Sequence, residues 1–361
     1  MILGIDASQA NRKIRSGTEW YAFYLMEEFK KLAAGRSDIR VRLYTRDALQ
    51  SDLANNLPDN FEVKILRWPL KYFWGQVRLS LEMLFNPPDI LFCPAHTIPL
   101  VHPKKTFTTL HDVGFEDHPE LYDRLSLWYH RWSAKFAVRK AHHIFTVSEF
   151  SKQRIVANYN CPENKITVTH LGIVSQFTIV NRVTILKKNG LEEKKYLLFV
   201  GRIEPKKNIL NIIRAFEMSG VDMPLVLAGR KLMNLSPHSN IKLLNYISEE
   251  DKWALYQGAT VFIFPTLYEG FGLPILEAQA SGIPVITSNT ASNPEVAGDG
   301  AVIVNPKDPQ EIARAIKSLL TDKELREEKI KSGLENIEKF SWAETARKTL
   351  AAMIDDEKDL R

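Results

Sequence analysis

The chain has 361 residues, 45% hydrophobic and 25% charged, which is the balance of a globular protein and excludes a disordered or fibrous one. At about 150 residues per domain the length suggests two domains, and no apolar run reaches the ~18 residues of a membrane-spanning helix. The net charge of +5 lies entirely in the first half, where residues 1–180 hold 23 Lys and Arg against 18 Asp and Glu. That bias suits an anionic partner, such as a membrane surface or nucleic acid, or is scatter within a globular domain. Cys93 and Cys161 stand alone without a CxxC spacing, so neither a disulfide framework nor a zinc site is expected. The opening MILGIDAS has no basic n-region or cleavage site, so no signal peptide is visible and a cytoplasmic chain is expected.

Residues 2–7 form a short buried strand, followed by a polar turn containing Gly17 and an amphipathic helix. Strand, turn and helix in that order begin a doubly wound α/β unit, which binds ligands at the carboxyl end of its strands. Residues 41–45 and 63–66 are further strands. Residues 67–84 (RWPLKYFWGQVRLSLEML) mix aromatic and basic side chains. Between Arg67 and Arg78 this pattern suits peripheral contact with an anionic membrane. It also suits a helix packed on its own domain with a basic outer face. Residues 90–93 and 106–110 are strands, and the second runs into His111-Asp112. A long basic and aromatic helix covers about residues 125–140. A strand at 144–147, a helix capped by Ser148 and a strand at 166–170 complete the first half. This alternation argues for a mainly parallel sheet.

Residues 173–195 carry no clean period and read as a linker between a first domain, 1–172, and a second, 196–341. The second domain repeats the plan. Strands at 196–201, 225–229, 241–246, 261–264, 284–287 and 301–304 alternate with helices. A last helix is expected over residues 342–361.

Four strand ends in this plan carry chemistry, the one before His111-Asp112 in the first domain and three in the second. Gly201-Arg202, with Lys207 shortly after, and Gly229-Arg230 place cations after strands. The segment EGFGLPILE puts Glu269 and Glu277 on either side of a Gly-rich turn, with Pro274 opening a helix. Amides at a helix start lack intrahelical partners and face the positive end of the helix dipole, so this turn suits a phosphate. Carboxylates accept hydrogen bonds from hydroxyl groups. Phosphate and hydroxyls together describe a nucleotide or sugar nucleotide. Arg202 and Lys207 can stabilise charge on a departing diphosphate, and the amides from Gly272 to Ile275 add a fixed dipole. No metal is then required, and the DxD loop of metal-dependent sugar-nucleotide enzymes is absent. A GxGxxG after the first strand, which a dehydrogenase needs, and the GxxxxGK[ST] of a P-loop are also absent.

The GRxxxxK element (Gly201, Arg202, Lys207), the run YISEEDKWALYQGA, the E-x7-E pair of Glu269 and Glu277, and SGIPVITSNTASNPEVAGDGA together resemble the retaining family 4 glycosyltransferases. TLHDVGFEDHPELY is similar to the mannosyltransferase-like subgroup. The resemblance implies a GT-B fold, two Rossmann-like doubly wound domains facing across a cleft. It implies a metal-independent hexosyltransferase moving mannose from GDP-mannose to a glycan or lipid-linked acceptor, with no cofactor. Glu277 would bind the donor ribose. Glu269, with the backbone of Gly270, Phe271, Gly272 and Leu273, would hold the donor sugar. Arg202 and Lys207 would hold the diphosphate, with Arg230 beside them. Ile247 would meet the base through its backbone, His111 would lie near the transferred sugar, and Gly17 would approach the phosphates. The family often has Gly after the motif lysine, where this chain has Asn208, a residue that also tolerates left-handed backbone. A UDP-sugar-dependent hexosyltransferase and a non-catalytic sugar-nucleotide-binding protein are the alternatives.

Overall fold

The computed structural model describes residues 1–70, 73–174, 181–235 and 240–355. Lys71 and Tyr72 of the basic-aromatic stretch, residues 175–180 of the expected linker and residues 356–361 of the expected last helix lie outside the described residues. The chain divides into two compact units, Met1–Gly172 with Ser341–Arg361, and Ile173–Phe340.

The first unit is built on a parallel sheet of β1 (Ile2–Asp6), β2 (Arg40–Thr45), β3 (Phe61–Ile65), β4 (Ile90–Cys93), β5 (Thr106–Thr109), β6 (His143–Thr146) and β7 (Ile166–Val168). Their order is β3-β2-β1-β4-β5-β6-β7, so the winding direction reverses between β1 and β4. β4 and β5 are buried at every position, as expected of strands covered on both faces. β3 lies at the edge, where Phe61 is buried and Val63 and Ile65 are exposed. The Gly17–Ala33 helix follows β1, and the backbone N–H of its cap residue Ser16 donates to Glu19 at 3.1 Å. The C-terminal Trp342–Asp355 helix belongs to this unit and packs on the Gly17–Ala33 helix. Trp342 there stacks on Tyr24 at 5.2 Å.

The second unit holds β8 (Leu197–Val200), β9 (Leu225–Ala228), β10 (Ile241–Leu244), β11 (Val261–Phe264), β12 (Val285–Ser288) and β13 (Ala301–Val304). All are parallel, in the order β10-β9-β8-β11-β12-β13. Leu198 pairs with both Val226 and Phe262, which brings the carboxyl ends of β8, β9 and β11 level. The reversal lies between β8 and β11, and open α/β sheets bind ligands beyond the strand ends at that point. The LLFV and VFIF runs are wholly buried. Each such large side chain contributes about 1.5–3 kcal/mol by leaving water.

Two stretches depart from the simple reading. Within residues 173–195 the chain forms the Arg182–Lys188 helix, which packs on the Glu249–Gly258 helix through buried Ile185 and Leu186. Its charged residues surround those two apolar positions, so no period is visible in the sequence. In the basic-aromatic stretch, Trp74 is buried and donates its indole N–H to the Leu66 carbonyl at 2.8 Å, and Trp68 packs on the same core. Instead of one helix, a wider π-type turn over Trp74–Leu79 leads into a short Ser80–Phe85 helix. Leu70, Phe73 and Val77 remain exposed.

Candidate active site

The second unit gathers its charged residues in the loops after β8, β9 and β11. After β8, the backbone leaves the sheet at Gly201 and forms a single turn, Pro205–Lys207, that delivers Lys207 to the β11 loop. Leu267 N–H donates to the Lys206 carbonyl at 3.0 Å, which ties the two loops together. Lys207 Nζ then donates to the Glu269 carboxylate, and its charge lies 5.5 Å from the Phe264 ring centre. Both side chains are nearly buried. The ammonium has three donors, so a phosphate can share it with Glu269.

Asn208, next in sequence, adopts the left-handed conformation at φ 62° and is buried. It does more than tolerate that geometry. Its amide donates to the carbonyls of Pro265 at 2.9 Å and Pro306 at 2.6 Å, and its oxygen accepts from Asn211 at 2.9 Å. Glycine at this position would adopt the same backbone and make none of these bonds.

Arg202 and Arg230 sit side by side in chain terms, because Ile203 forms a parallel bridge with Lys231. A Cβ on Gly229 would come 2.1 Å from the Gly201 carbonyl oxygen, so only glycine permits this approach. Both guanidinium groups are exposed, and neither makes a hydrogen bond or ion pair among the described residues. They are therefore available to an anion.

The Leu273–Ala280 helix begins one residue earlier than expected, with Pro274 second and Gly272 as its cap at φ 109°. This narrows the expected amide cradle. Pro274 has no N–H, and Ile275 N–H donates to the Gly272 carbonyl at 2.9 Å. The amides left for a ligand are those of Gly272 and Leu273. Phe271 turns its ring inward against Phe340 at 5.8 Å, so only its backbone faces the turn's outer side.

Glu277, on the same helix, is buried and held from the Glu249–Gly258 helix. Lys252 Nζ donates to one carboxylate oxygen at 2.7 Å, and Tyr256 OH donates to the other at 2.9 Å. Lys252 also pairs with Glu249 at 2.8 Å. Burial works against the Lys252 charge, but Glu277 and Glu249 outweigh it and raise its pKa above the usual lysine range. Burial, reinforced by Glu277, pushes the Tyr256 phenol up as well. A carboxylate has about four lone-pair sites, so two donors leave about two for vicinal hydroxyls. Ile247, half-buried, precedes this helix in the loop after β10.

Sequence reasoning missed two groups here. Lys252 and Tyr256 lie four apart and so share one helix face, the only local signal for them. Ser292 and Asn293, buried in the polar run after β12, brace the glycine turn. Ser292 Oγ donates to the carbonyls of Glu269 at 2.9 Å and Phe271 at 2.7 Å. Asn293 amide donates to Thr266 Oγ1 at 3.0 Å and Ser288 Oγ at 2.7 Å. The signal available in the sequence is the cluster of Ser, Thr and Asn over residues 287–293 after an apolar run, and the structure adds that Ser292 and Asn293 are fully buried.

In the first unit, Gly17 opens its helix with open space where a Cβ would stand. One turn on, Tyr21 meets the His111 ring edge-on at 4.6 Å and bonds Thr109 at 3.0 Å. His111 is buried at the end of β5, and its Nε2–H donates to the Pro94 carbonyl at 3.0 Å. Burial, with His96 nearby, lowers its pKa from 6.5 to about 3. The ring is thus neutral at physiological pH, with Nδ1 bearing the lone pair. Between about pH 3 and 6.5 the unfolded chain takes up a proton at this ring and the folded chain does not. Folding stability present above pH 6.5 is therefore lost as pH falls through that window. Urea unfolding at about pH 7.5 and pH 5 should show this loss, and His111→Asn should reduce it.

Residues 181–335 match the family described as Glycosyl transferases group 1, and residues 15–177 match Glycosyltransferase Family 4. The chain is 33% identical over 266 residues to the O-antigen chain mannosyltransferase B of Escherichia coli, covering 69% of this chain and 70% of that one. It is 28% identical over 278 residues to the O-antigen chain mannosyltransferase RfbU of Salmonella typhimurium, covering 74% of each. In structure it is similar to a sucrose-phosphate synthase from Thermosynechococcus elongatus, with a TM-score of 0.74 and 17% identity over the whole of both chains. The fold is that of the GT-B glycosyltransferases. The chain belongs to glycosyltransferase family 4.

Proposed function

We propose that this glycosyltransferase moves mannose from GDP-mannose, with retention and without a metal ion, to a glycan or lipid-linked acceptor in cell-surface polysaccharide assembly. The observation that carries the reading is the arrangement after β8 and β11. A lysine–carboxylate pair, Arg202 and a braced helix start lie at the switch point of the second unit, with Arg230 at the neighbouring end of β9, and neither guanidinium has a partner among the described residues. Mannose as the sugar is supported by the names of the O-antigen relatives.

In this reading Lys207, Arg202 and Arg230 bind the diphosphate, and Glu277 accepts bonds from the ribose hydroxyls. Glu269 and the amides of Gly272 and Leu273 hold the sugar, the backbone at Ile247 meets the base, and Gly17 approaches the phosphates. His111 is a neutral group beside the transferred sugar. The bond from the sugar anomeric carbon to phosphate oxygen breaks, and its electron pair stays with the diphosphate. The acceptor hydroxyl attacks from the same face and passes its proton to the departing phosphate oxygen. Among the described residues no helix is long and apolar enough to cross a membrane. Exposed Leu70 and Phe73 beside exposed Arg67 support peripheral contact with an anionic membrane, on its cytoplasmic face.

Calorimetric titration with GDP-mannose and UDP-glucose, each in EDTA, tests the reading. GDP-mannose should bind more tightly, and a chelator should change nothing. Preference for UDP-glucose would replace the donor. Failure to bind either of these or any other nucleotide sugar would sink the proposal.

A further inference from the structure

The first unit has a switch point of its own, between β1 and β4, and the strand ends around it carry a different chemistry from those of the second unit. Arg202, Lys207 and Arg230 follow β8 and β9. In the first unit β1 ends on Asp6, the loop after β4 carries His96, and β5 runs into His111-Asp112. None of these is a lysine or an arginine. His130, on the Arg124–Lys140 helix, belongs to the same group, because the Asp112 charge acts on both His96 and His130.

Much of the hydrogen-bonding capacity of these groups is unused. His96 is half-buried and holds φ 32°, a backbone conformation uncommon for a residue with a β-carbon. Its N–H donates to the Thr109 carbonyl at 2.9 Å, and its ring lies 5.2 Å from that of His111. Neither ring nitrogen of His96 has a hydrogen-bond partner among the described residues. Asp112, also half-buried, accepts from the Gly114 N–H with one oxygen at 2.8 Å, and its other oxygen has no partner among the described residues. The His130 ring stacks on Phe115 at 5.4 Å, and its nitrogens likewise have none. Asp6 accepts from the Ser8 N–H at 2.9 Å and bonds no residue beyond Ser8 among those described. Half-buried polar groups with spare capacity at a switch point suit a ligand that brings its own donors and acceptors.

Charge then selects the ligand. Burial lowers the pKa of His96 and His130 from the usual histidine value, so both rings are neutral at physiological pH. Arg12 and Arg15, in the loop after β1, pair with Glu19 and Asp52, which leaves exposed Lys13 as that loop's remaining cation. Arg131 and Arg154 pair with Glu116 and Asp117 after β5. Carboxylates beside neutral imidazoles disfavour a phosphate and accept from hydroxyl groups, while an imidazole can also donate to one. We propose that Asp112, His96 and His130 hold the acceptor, and that the sugar they hold is uncharged, the hydroxyl-bearing end of a glycan and not a sugar joined directly to a lipid diphosphate. The inference rests on the proposed mannosyl transfer and narrows its acceptor. The enzyme extends a glycan already begun and does not add the first mannose next to the diphosphate.

Nucleoside diphosphate release from GDP-mannose, or from the nucleotide sugar that replaces it in calorimetry, tests this when acceptors are added one at a time. The panel is the methyl glycosides of mannose, galactose, glucose and N-acetylglucosamine, each beside the 1-phosphate of the same sugar. At least one methyl glycoside should speed release above the rate with water alone. Its 1-phosphate should show a KM higher by about tenfold or more, since like charges brought together are strongly disfavoured. Asp112→Asn can still accept from the Gly114 N–H but puts an amide where an anionic acceptor stood, and should raise the glycoside KM about 10–100-fold. His96→Gly keeps the left-handed backbone and removes the ring, and should raise that KM about 3–10-fold. Both variants should keep the wild-type affinity for GDP and the wild-type melting temperature, which separates a lost acceptor contact from a damaged fold. Use of the 1-phosphates as well as or better than the glycosides would overturn the inference and leave the donor reading standing. So would an unchanged glycoside KM in both variants, or no stimulation by any methyl glycoside while the donor is bound. If no nucleotide sugar binds at all, the proposed function falls and this inference with it.

Discussion

Lys207→Ala is expected to lower kcat/KM for donor turnover by about 10²–10³-fold, the usual effect of deleting one group aimed at developing transition-state charge. The side chain reaches from the turn after β8 to Glu269 and lies beside the Phe264 ring. Its charge is therefore held in a partly dehydrated place before any ligand arrives. When the diphosphate departs, this ammonium gains a second anionic partner without moving far. Its removal also leaves the nearly buried Glu269 carboxylate without a partner, at a cost of about 1–3 kcal/mol. Thermal unfolding separates the two effects. Glu269→Gln with Lys207→Met should recover most of the stability and none of the rate. If Lys207→Ala turns over the donor like the wild type, the lysine has no part in leaving-group stabilisation.

The second large effect is expected at Glu277. Glu277→Gln should weaken nucleoside diphosphate binding by roughly 10–100-fold, because hydrogen bonds to a charged acceptor count for about 1.5–3 kcal/mol. The amide also places a donor where Lys252 or Tyr256 already donates. The specific signature is in the sugar of the nucleotide. The wild type should bind GDP more tightly than 2′,3′-dideoxy-GDP by a similar factor, and Glu277→Gln should bind the two alike. Lys252→Met, which frees one carboxylate oxygen and its orientation, should lose part of the discrimination. Equal wild-type affinity for GDP and its dideoxy analogue would remove ribose recognition from Glu277.

Much of this architecture was legible because parallel strands covered on both faces are continuous apolar runs. LLFV, LVLA and VFIF announce β8, β9 and β11, and the glycines and charges after them mark the strand ends that ligands use. The glycine turn and its two glutamates were visible for the same reason. What was not legible depends on side-chain direction across long separations. Glu277 is met by Lys252 and Tyr256 from 25 and 21 residues away, and no local spacing links them. Ser292 braces Glu269 and Phe271 from more than 20 residues downstream. In the same way, the run from Arg67 to Arg78 does not say which of its rings turn inward. The core takes Trp68 and Trp74 and leaves Phe73 exposed. The Arg182–Lys188 helix was hidden by its charges, since two buried apolar residues are too few to set a period. The amide cradle was overcounted because a proline and an internal hydrogen bond remove two of its donors.

The central claim is that the loops after β8 and β11 break a bond from sugar to diphosphate, rather than only bind a sugar nucleotide. It is tested most directly by following GDP release from GDP-mannose in EDTA for the wild type and Lys207→Ala. The account predicts release by the wild type, little by the variant, and mannose appearing first as the α-anomer when water is the acceptor. Tight binding of GDP-mannose or another nucleotide sugar with no release of its nucleoside diphosphate, whether water or glycan is offered, would contradict it.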